Sequence, residues 1–373
     1  MMKKVLLTTS ALAGASLLTA GTAAAEAPTV SFSGAVTYEM IWNGGDVPAA
    51  GTGFNISANE QQSELVWVAS GSSDNGLNYG ARLDWRVLAG GGASAFDESW
   101  VDVSGSFGRI YLGQEDGVID LIASHSGHSM QVGTWGTDGN NALRHVSYLG
   151  LNTGLHYYAS HSAQTSDNNK IGYVTPNFSG FQAGVAFTPN SAAAQAAGTN
   201  NDNDANAFEV AVAWNGDLGD VALGIGGGYA IADDQSSTNG TQPPEDQNSY
   251  NIGATVGFAG FTVGAAYINN EDSNCAAATT TCDAGDGWNI GAGYNFGPGA
   301  VSIMYQTAED DTDGNGRSDE SAVVHAGINY TIADGLSTHL NGYWFDLENE
   351  AGSGVATNSN DAQVIILGTR VSF

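Results

Sequence analysis

The sequence predicts an all-β chain, a transmembrane antiparallel up-and-down β-barrel. Three observations predict it. Apolar and polar residues alternate with a period of two over many short segments, which gives each strand one apolar and one polar face. The breaks between segments are short and long by turns, as in a meander with tight turns at one end and loops at the other. The chain opens with an export signal, and after it no apolar run is long enough for a spanning helix.

The export signal reads as follows. Met1-Met2-Lys3-Lys4 is a short basic start, Val5 to Ala20 is mostly apolar, and Ala23-Ala24-Ala25 offers small residues for cleavage. Residues 1–25 are therefore expected to be removed, leaving 26–373 as a single barrel domain. The alternative, a membrane anchor, needs a longer and bulkier apolar stretch. Only 13% of the chain is charged and 52 residues are Gly, against about 25% charged in a soluble domain. Low charge without a spanning helix fits a wall whose outer face meets lipid. Past residue 25 the strong bases are Arg82, Arg86, Arg109, Arg144, Lys170, Arg317 and Arg370, seven against 39 acids, for a net charge of −32. Such a surface excludes nucleic acid, which needs clustered Lys and Arg, and is natural company for divalent cations or high external salt.

The strands show the pattern plainly. Over 30–42, Val30, Phe32, Val36, Tyr38, Met40 and Trp42 oppose Ser31, Ser33, Thr37 and Glu39. Over 77–87, Leu77, Tyr79, Leu83, Trp85 and Val87 oppose Asn78, Arg82, Asp84 and Arg86. The segments 250–258, 261–267, 288–296, 301–306, 323–331 and 363–373 behave likewise, and Gly fills many other inward positions, where it leaves room. Short breaks include Ser73-Asp74-Asn75-Gly76, Phe107-Gly108, Gly297-Pro298-Gly299 and Ala333-Asp334-Gly335. Long, acidic ones cover 43–58, 88–97, 114–142, 188–206, 233–248, 271–286, 309–320 and 349–361.

A soluble β-sandwich also alternates. Against it stand aromatics near strand ends (Trp42, Tyr79, Trp100, Tyr267, Trp288, Phe296, Tyr305, Tyr330 and Trp344), placed as an interfacial belt requires. In lipid the sheet must also close, because open edges leave backbone groups unpaired. Counting segments gives 18 strands, or 16 if 143–162 is a hairpin within a loop instead of two wall strands. Either number leaves an aqueous channel lined by polar residues.

Several stretches resemble the general porins of Gram-negative bacteria. Val30-Ser31-Phe32-Ser33-Gly34 looks like the family's first strand. Phe107 to Gly113 resembles the strand leading into its constriction loop, Lys170 to Phe181 the strand-turn-strand after that loop, and Tyr330 to Ser337 the last periplasmic turn. Gly368-Thr369-Arg370-Val371-Ser372-Phe373 is similar to the family's terminal signal, with Gly368, Val371 and Phe373 as its marks. The resemblance implies a 16-stranded homotrimeric barrel in the outer membrane, assembled by the barrel-assembly machinery among outer-membrane lipid and lipopolysaccharide. It also implies a third external loop folded into the lumen. That loop would run over 114–167, longer than is usual, with 143–162 as an insertion.

The implied activity is general diffusion of ions and small hydrophilic solutes, with no catalytic group and no required cofactor. A charged ring sets ion preference in such a pore. Alternation turns Arg82, Asp84, Arg86 and Arg109 inward, and Glu115, Asp116 and Asp120 open the inward loop. These acids are expected to face the arginines across the constriction, with Glu39 adding to the negative side and the channel preferring cations. The bland alternative for Glu115 and Asp116 is solvated loop charge. In the loop 309–320, Asp311-x-Asp313-x-Asn315-Gly316 spaces oxygen ligands as calcium loops do. Asp319 could join them, but Ala322 at position twelve excludes a full EF-hand, so a surface Ca2+ site competes with plain acidic loop. Cys275 and Cys282 are expected to staple their own loop in the exported chain. Two rival classes remain: a non-conducting structural or adhesive barrel, and a barrel enzyme, for which no motif surrounds the histidines.

Overall fold

The structure, a computed structural model, describes residues 28–46, 53–59, 62–86, 95–132, 142, 145–147, 165, 167–190, 205–233, 247–271, 283–311, 318–349 and 359–373. The leader expected over 1–25, Arg144, Cys275, Cys282, Asp313 and Asn315 lie outside the described residues.

The first strands are β1 (Thr29–Gly45), β2 (Gly53–Ala58), β3 (Glu64–Ser72), β4 (Asn78–Arg86), β5 (Ala95–Gly105) and β6 (Gly108–Gln114). A long loop then precedes β7 (Asn169–Val174), β8 (Phe181–Asn190), β9 (Ala205–Leu218), β10 (Val221–Asp233), β11 (Gln247–Phe258) and β12 (Phe261–Asn269). The chain finishes with β13 (Asp283–Phe296), β14 (Gly299–Asp311), β15 (Asp319–Ala333), β16 (Leu336–Glu348) and β17 (Ser359–Ser372). From β3 onward each strand pairs antiparallel with the next, and β17 returns to β1 to close the barrel.

Seventeen strands make sixteen staves. Both β2 and β3 pair with β1, one above the other, through Trp42↔Phe54 and Phe32↔Trp67. They are two halves of one stave, interrupted at Asn59–Ser63. There the Thr37 N–H donates to Ser63 Oγ at 3.0 Å, and the Thr37 carbonyl accepts from the Asn59 N–H at 3.0 Å. The sequence reading placed 53–58 in a loop, because Phe54 and Ile56 are too few apolar residues to register as a period. The alternative of 18 staves fails on register: β6 pairs directly with β7 from Arg109↔Val174 to Gln114↔Asn169, so no stave stands between them.

Alternation is realised on both faces. On β13, Trp288 and Ile290 are exposed outward while Asn289 between them is buried. The exposed apolar face is the surface lipid solvates. Two aromatic girdles bound it. Near the long loops run Trp42–Phe54, Tyr250–Tyr267 and Trp288–Tyr305, with ring centroids 5.1, 6.2 and 5.3 Å apart. Near the short turns run Phe32–Trp67, Phe181–Trp214 and Phe261–Tyr294, at 5.2, 6.2 and 4.3 Å. Trp100, expected in the belt, turns inward instead: it pairs with Arg82 and shares the inward face of β5 with Asp102, while Val101 and Val103 are exposed outward.

Phe373 completes the closure. It exchanges both backbone hydrogen bonds with Gly34 at 2.9 Å, and its ring lies 6.2 Å from Phe32. Val371 faces outward, while Gly368 leaves room for the His339 ring, which a Cβ there would strike. The turn before the last hairpin needs Gly335, whose φ of 74° disfavours other residues.

The inner wall is not uniformly polar, contrary to the sequence reading. Ile41, Val323, Tyr343, Phe345, Leu347, Val364 and Ile366 face inward on β1 and β15–β17 and pack with Ala142 and Val146 of the long loop. Period-two patterning fixes which residues face in. It does not reveal that a loop covers them and makes apolar side chains favourable there.

Candidate pore constriction

The charged part of the inner wall lies on β3–β6. Arg82 Nη2 donates to Asp84 Oδ2 at 2.7 Å, and its Nε lies 3.0 Å from Glu98 Oε2. Arg86 is ion-paired with Asp97 at 2.6 Å and Glu64 at 3.5 Å. Arg109 Nε donates to Asp102 at 3.1 Å and its Nη2 to Glu115 at 3.0 Å. The guanidinium of Arg109 also stacks over Trp100, 4.6 Å from the ring centroid, a cation–π contact. Each arginine thus holds two carboxylates, and the three side chains stay part-exposed, between 26% and 34%. Below them a cavity of about 550 Å³ is lined by Asn78, Ser104, Arg109, Leu121, Ile122 and Gln182, among others.

The long loop leaves β6 and lies along the opposite inner wall. Its helix α1 (Val118–Ala123) buries Val118, Ile119 and Ala123 against β8, β9 and β10, next to Tyr111, Ala186, Ala211 and Ala230. The chain then crosses β11–β13 on a track of glycines. A Cβ at Gly226 would meet Ala123, one at Gly253 the His125 carbonyl, one at Gly264 the Ser126 carbonyl, and one at Gly291 the Gly127 carbonyl. Only Gly lets two backbones approach so closely. The Gly127 N–H donates to Asn289 Oδ1 at 2.7 Å, and the Val132 N–H to Ser302 Oγ at 3.1 Å. Farther on, Asn43 and Asn360 donate side-chain N–H groups to the carbonyls of His145 and Ser147, at 2.6 and 2.7 Å. The described parts of the loop thus touch the wall from β8 round to β1.

The expected residues separate into groups. Arg82, Asp84, Arg86 and Arg109 face the lumen together, and Glu115 joins Arg109. Most carboxylate partners of the arginines come from neighbouring strands, where the sequence reading looked to the loop. A strand neighbour sits about 5 Å away on the same face, whereas a loop must cross the lumen. Asp116 and Asp120 belong to a different cluster, with Asp167, Lys170 and Glu209. Burial first, then Asp120 and Asp167, hold the Asp116 carboxyl well above its ordinary range, at about 8. Burial and then Asp97 likewise push Asp167 to about 7. Glu39 stands apart from Arg82, Arg86 and Arg109, whose ion pairs are with other acids. It lies buried on β1, accepting from Asn59 Nδ2 at 2.9 Å and lying 3.2 Å from His339 Nε2. Asp311 ends β14 and Asp319 begins β15, one residue out of register. Among the described residues no group of three His, Cys, Asp or Glu is placed to hold a metal ion.

Sequence reasoning missed Glu64, Asp97, Glu98, Asp102, Lys170 and Glu209 as lumen groups. For all but Asp97 a signal was present, a charged residue at an inward position of an alternating segment, where an unpaired charge is costly; Asp97 faces in beside Glu98 only because a bulge resets β5 there.

Comparison with known proteins agrees with this architecture. A family model described as Gram-negative porin matches residues 8–350. Among solved structures, OmpT of Vibrio cholerae in its trimer form aligns at 16% identity and TM-score 0.64, covering 93% of this chain and 100% of that one. An anion-selective porin from Comamonas acidovorans aligns at 18% identity and TM-score 0.63 with the same coverage. Salmonella typhi OmpF, in complex with daunomycin, aligns at 13% identity and TM-score 0.63, covering 93% of this chain and 98% of that one. No curated relative matches. These structural likenesses establish the fold. The family match spans most of the sequence: the chain belongs to the Gram-negative porin family, and its barrel crosses the outer membrane many times.

Proposed function

We propose that the chain is a cation-preferring general diffusion channel for ions and small hydrophilic solutes, working as a homotrimer. The observation carrying this reading is the charge inventory beside the half-exposed wall. Arg82, Arg86, Arg109 and Lys170 stand among Glu64, Asp84, Asp97, Glu98, Asp102, Glu115, Asp116, Asp120, Asp167 and Glu209. Acids in excess raise the local concentration of cations and lower that of anions. The relative from Comamonas acidovorans is anion-selective on the same fold, so the sign of selectivity belongs to the inward side chains and not to the barrel.

The trimer form of the Vibrio cholerae relative supports the homotrimer. Outer-membrane lipid and lipopolysaccharide are the proposed partners of the apolar face and upper girdle, and the barrel-assembly machinery that of Gly368, Val371 and Phe373. Calcium is proposed only as a surface ligand of the loop 309–320, checked by melting with and without a chelator. The chain is read as a channel and not an enzyme: among the described residues, the buried His325 and His339 engage Asn341 and Glu39.

The test is purified protein in planar bilayers under a salt gradient. The reading expects ohmic steps in groups of three and a cation-selective reversal potential. An anion-selective potential overturns the preference, and a folded barrel without conductance favours the structural or adhesive alternative.

A further inference from the structure

We propose that Lys170 and Glu209 form a clasp that sets where the constriction loop stands, and hence the width of the passage; the proposal rests on the channel reading above. Lys170 lies on β7, facing inward and almost wholly buried. Its Nζ donates to the carbonyl of Glu115 and, at 2.7 Å, to the carbonyl of Thr165. These carbonyls belong to the two roots of the same loop, one just past β6 and the other just before β7. One ammonium, with three protons to place, therefore ties both ends of the loop to the wall.

Glu209, on β9, is equally buried. Its carboxylate accepts the backbone N–H groups of Val118 and Ile119 at the start of α1. It also fills the space beside Gly117, where a Cβ would strike it. Lys170 and Glu209 act on each other, with Asp116, Asp167 and Asp120 as the other charges around the ammonium.

Two features mark this as positioning and not merely packing. A buried charge is costly unless paired and hydrogen-bonded, so a wall needing only stability would carry an apolar or small residue here, as β8–β10 do elsewhere. And the clasp reaches the pore charges: Lys170 holds the Glu115 backbone while Arg109 holds its carboxylate. Freeing the backbone moves a charge that lines the passage. Without the ammonium, two carbonyls and four acids lose their cation, and the loop root is driven off the wall.

The experiment compares Lys170→Met, Lys170→Arg and Glu209→Gln with the wild type. Single-channel recordings in planar bilayers are paired with limited proteolysis of the folded barrel and with heat resistance of the barrel as a folding control. Lys170→Met is expected to lose the single conductance level in favour of larger, noisier sub-levels, and to be cleaved between 114 and 168 where the wild type is not. Lys170→Arg, which keeps charge and donors, restores the wild-type pattern. Glu209→Gln, which keeps an acceptor without the charge, falls between. A folded Lys170→Met with wild-type conductance, noise and cleavage overturns the clasp. If that variant does not fold, an unchanged Glu209→Gln overturns it instead. A wild type that never conducts sinks the channel reading alone, since proteolysis still reports on the clasp.

Discussion

The inner wall has two halves built by one alternation rule. On β3–β6 the inward residues are large and charged: Glu64, Arg82, Asp84, Arg86, Glu98, Asp102 and Arg109. On β8–β13 they are small and mostly neutral, such as Gly184, Ala186, Ala211, Gly226, Gly253, Gly264 and Gly291. The loop lies against this small wall and continues over β14–β17, and together these strands make the sealed half. Where the wall is large and charged, side chains other than Asp84 stay part-exposed to water. The placement of the loop is thus written in the wall as much as in the loop. Glycine and alanine make a bed, and the charged half is left as the passage.

The largest expected effect breaks the sealed half. Phe345→Ala removes a buried ring packed against Tyr343 and the loop cluster. It should destabilise the barrel by about 3–5 kcal/mol in denaturant unfolding from lipid vesicles. Next comes a contrast within one strand. Gly253→Ala should cost about 1–3 kcal/mol by overpacking and shift conductance, because its Cβ meets the His125 carbonyl. Gly257→Ala, with its nearest neighbour at an ordinary 3.5 Å, should be close to neutral. Equal behaviour of the two would remove the glycine bed from the account.

On the charged half, Arg86→Ala leaves Glu64 and Asp97 without their cation. Cation preference in reversal-potential measurements should rise roughly two- to fivefold, equivalent to about 0.4–1 kcal/mol. His325→Ala, on the sealed half, should leave it unchanged. The smallest effect is a titration. Asp116 has its folded pKa raised to about 8, so its contribution to loop docking is full below its ordinary value and is lost as pH rises through about 8. Between about pH 6 and about pH 9, the channel should gain cation preference and show a noisier open level. Asp116→Asn should flatten that change, and an unaltered slope in the variant would exclude Asp116 as its source.

Much of this was legible in the residues. Facing followed from period two, as at Trp288, Asn289 and Ile290, because a strand buries alternate side chains whatever surrounds it. Closure was legible at Phe373, and inward Gly was rightly read as leaving room. Three things were not. β2 hid in a loop because its apolar residues are only Phe54 and Ile56. Asp97 turned inward beside Glu98 because a bulge, which has no period, reset its strand. The partners of the arginines were sought in the loop, because cross-strand neighbours such as Arg82 and Glu98 depend on register, which one sequence does not state.

The open passage follows the charged half. This is tested most directly by the same substitution on both halves, with Cys275 and Cys282 replaced by Ser. Ser104→Cys lies at the cavity beside Arg109, and Ser302→Cys lies buried beneath the loop, where Ser302 accepts from Val132. A charged thiol reagent added during bilayer recording should reduce the current through Ser104→Cys and leave Ser302→Cys untouched. Reduction at Ser302→Cys with none at Ser104→Cys would contradict the account.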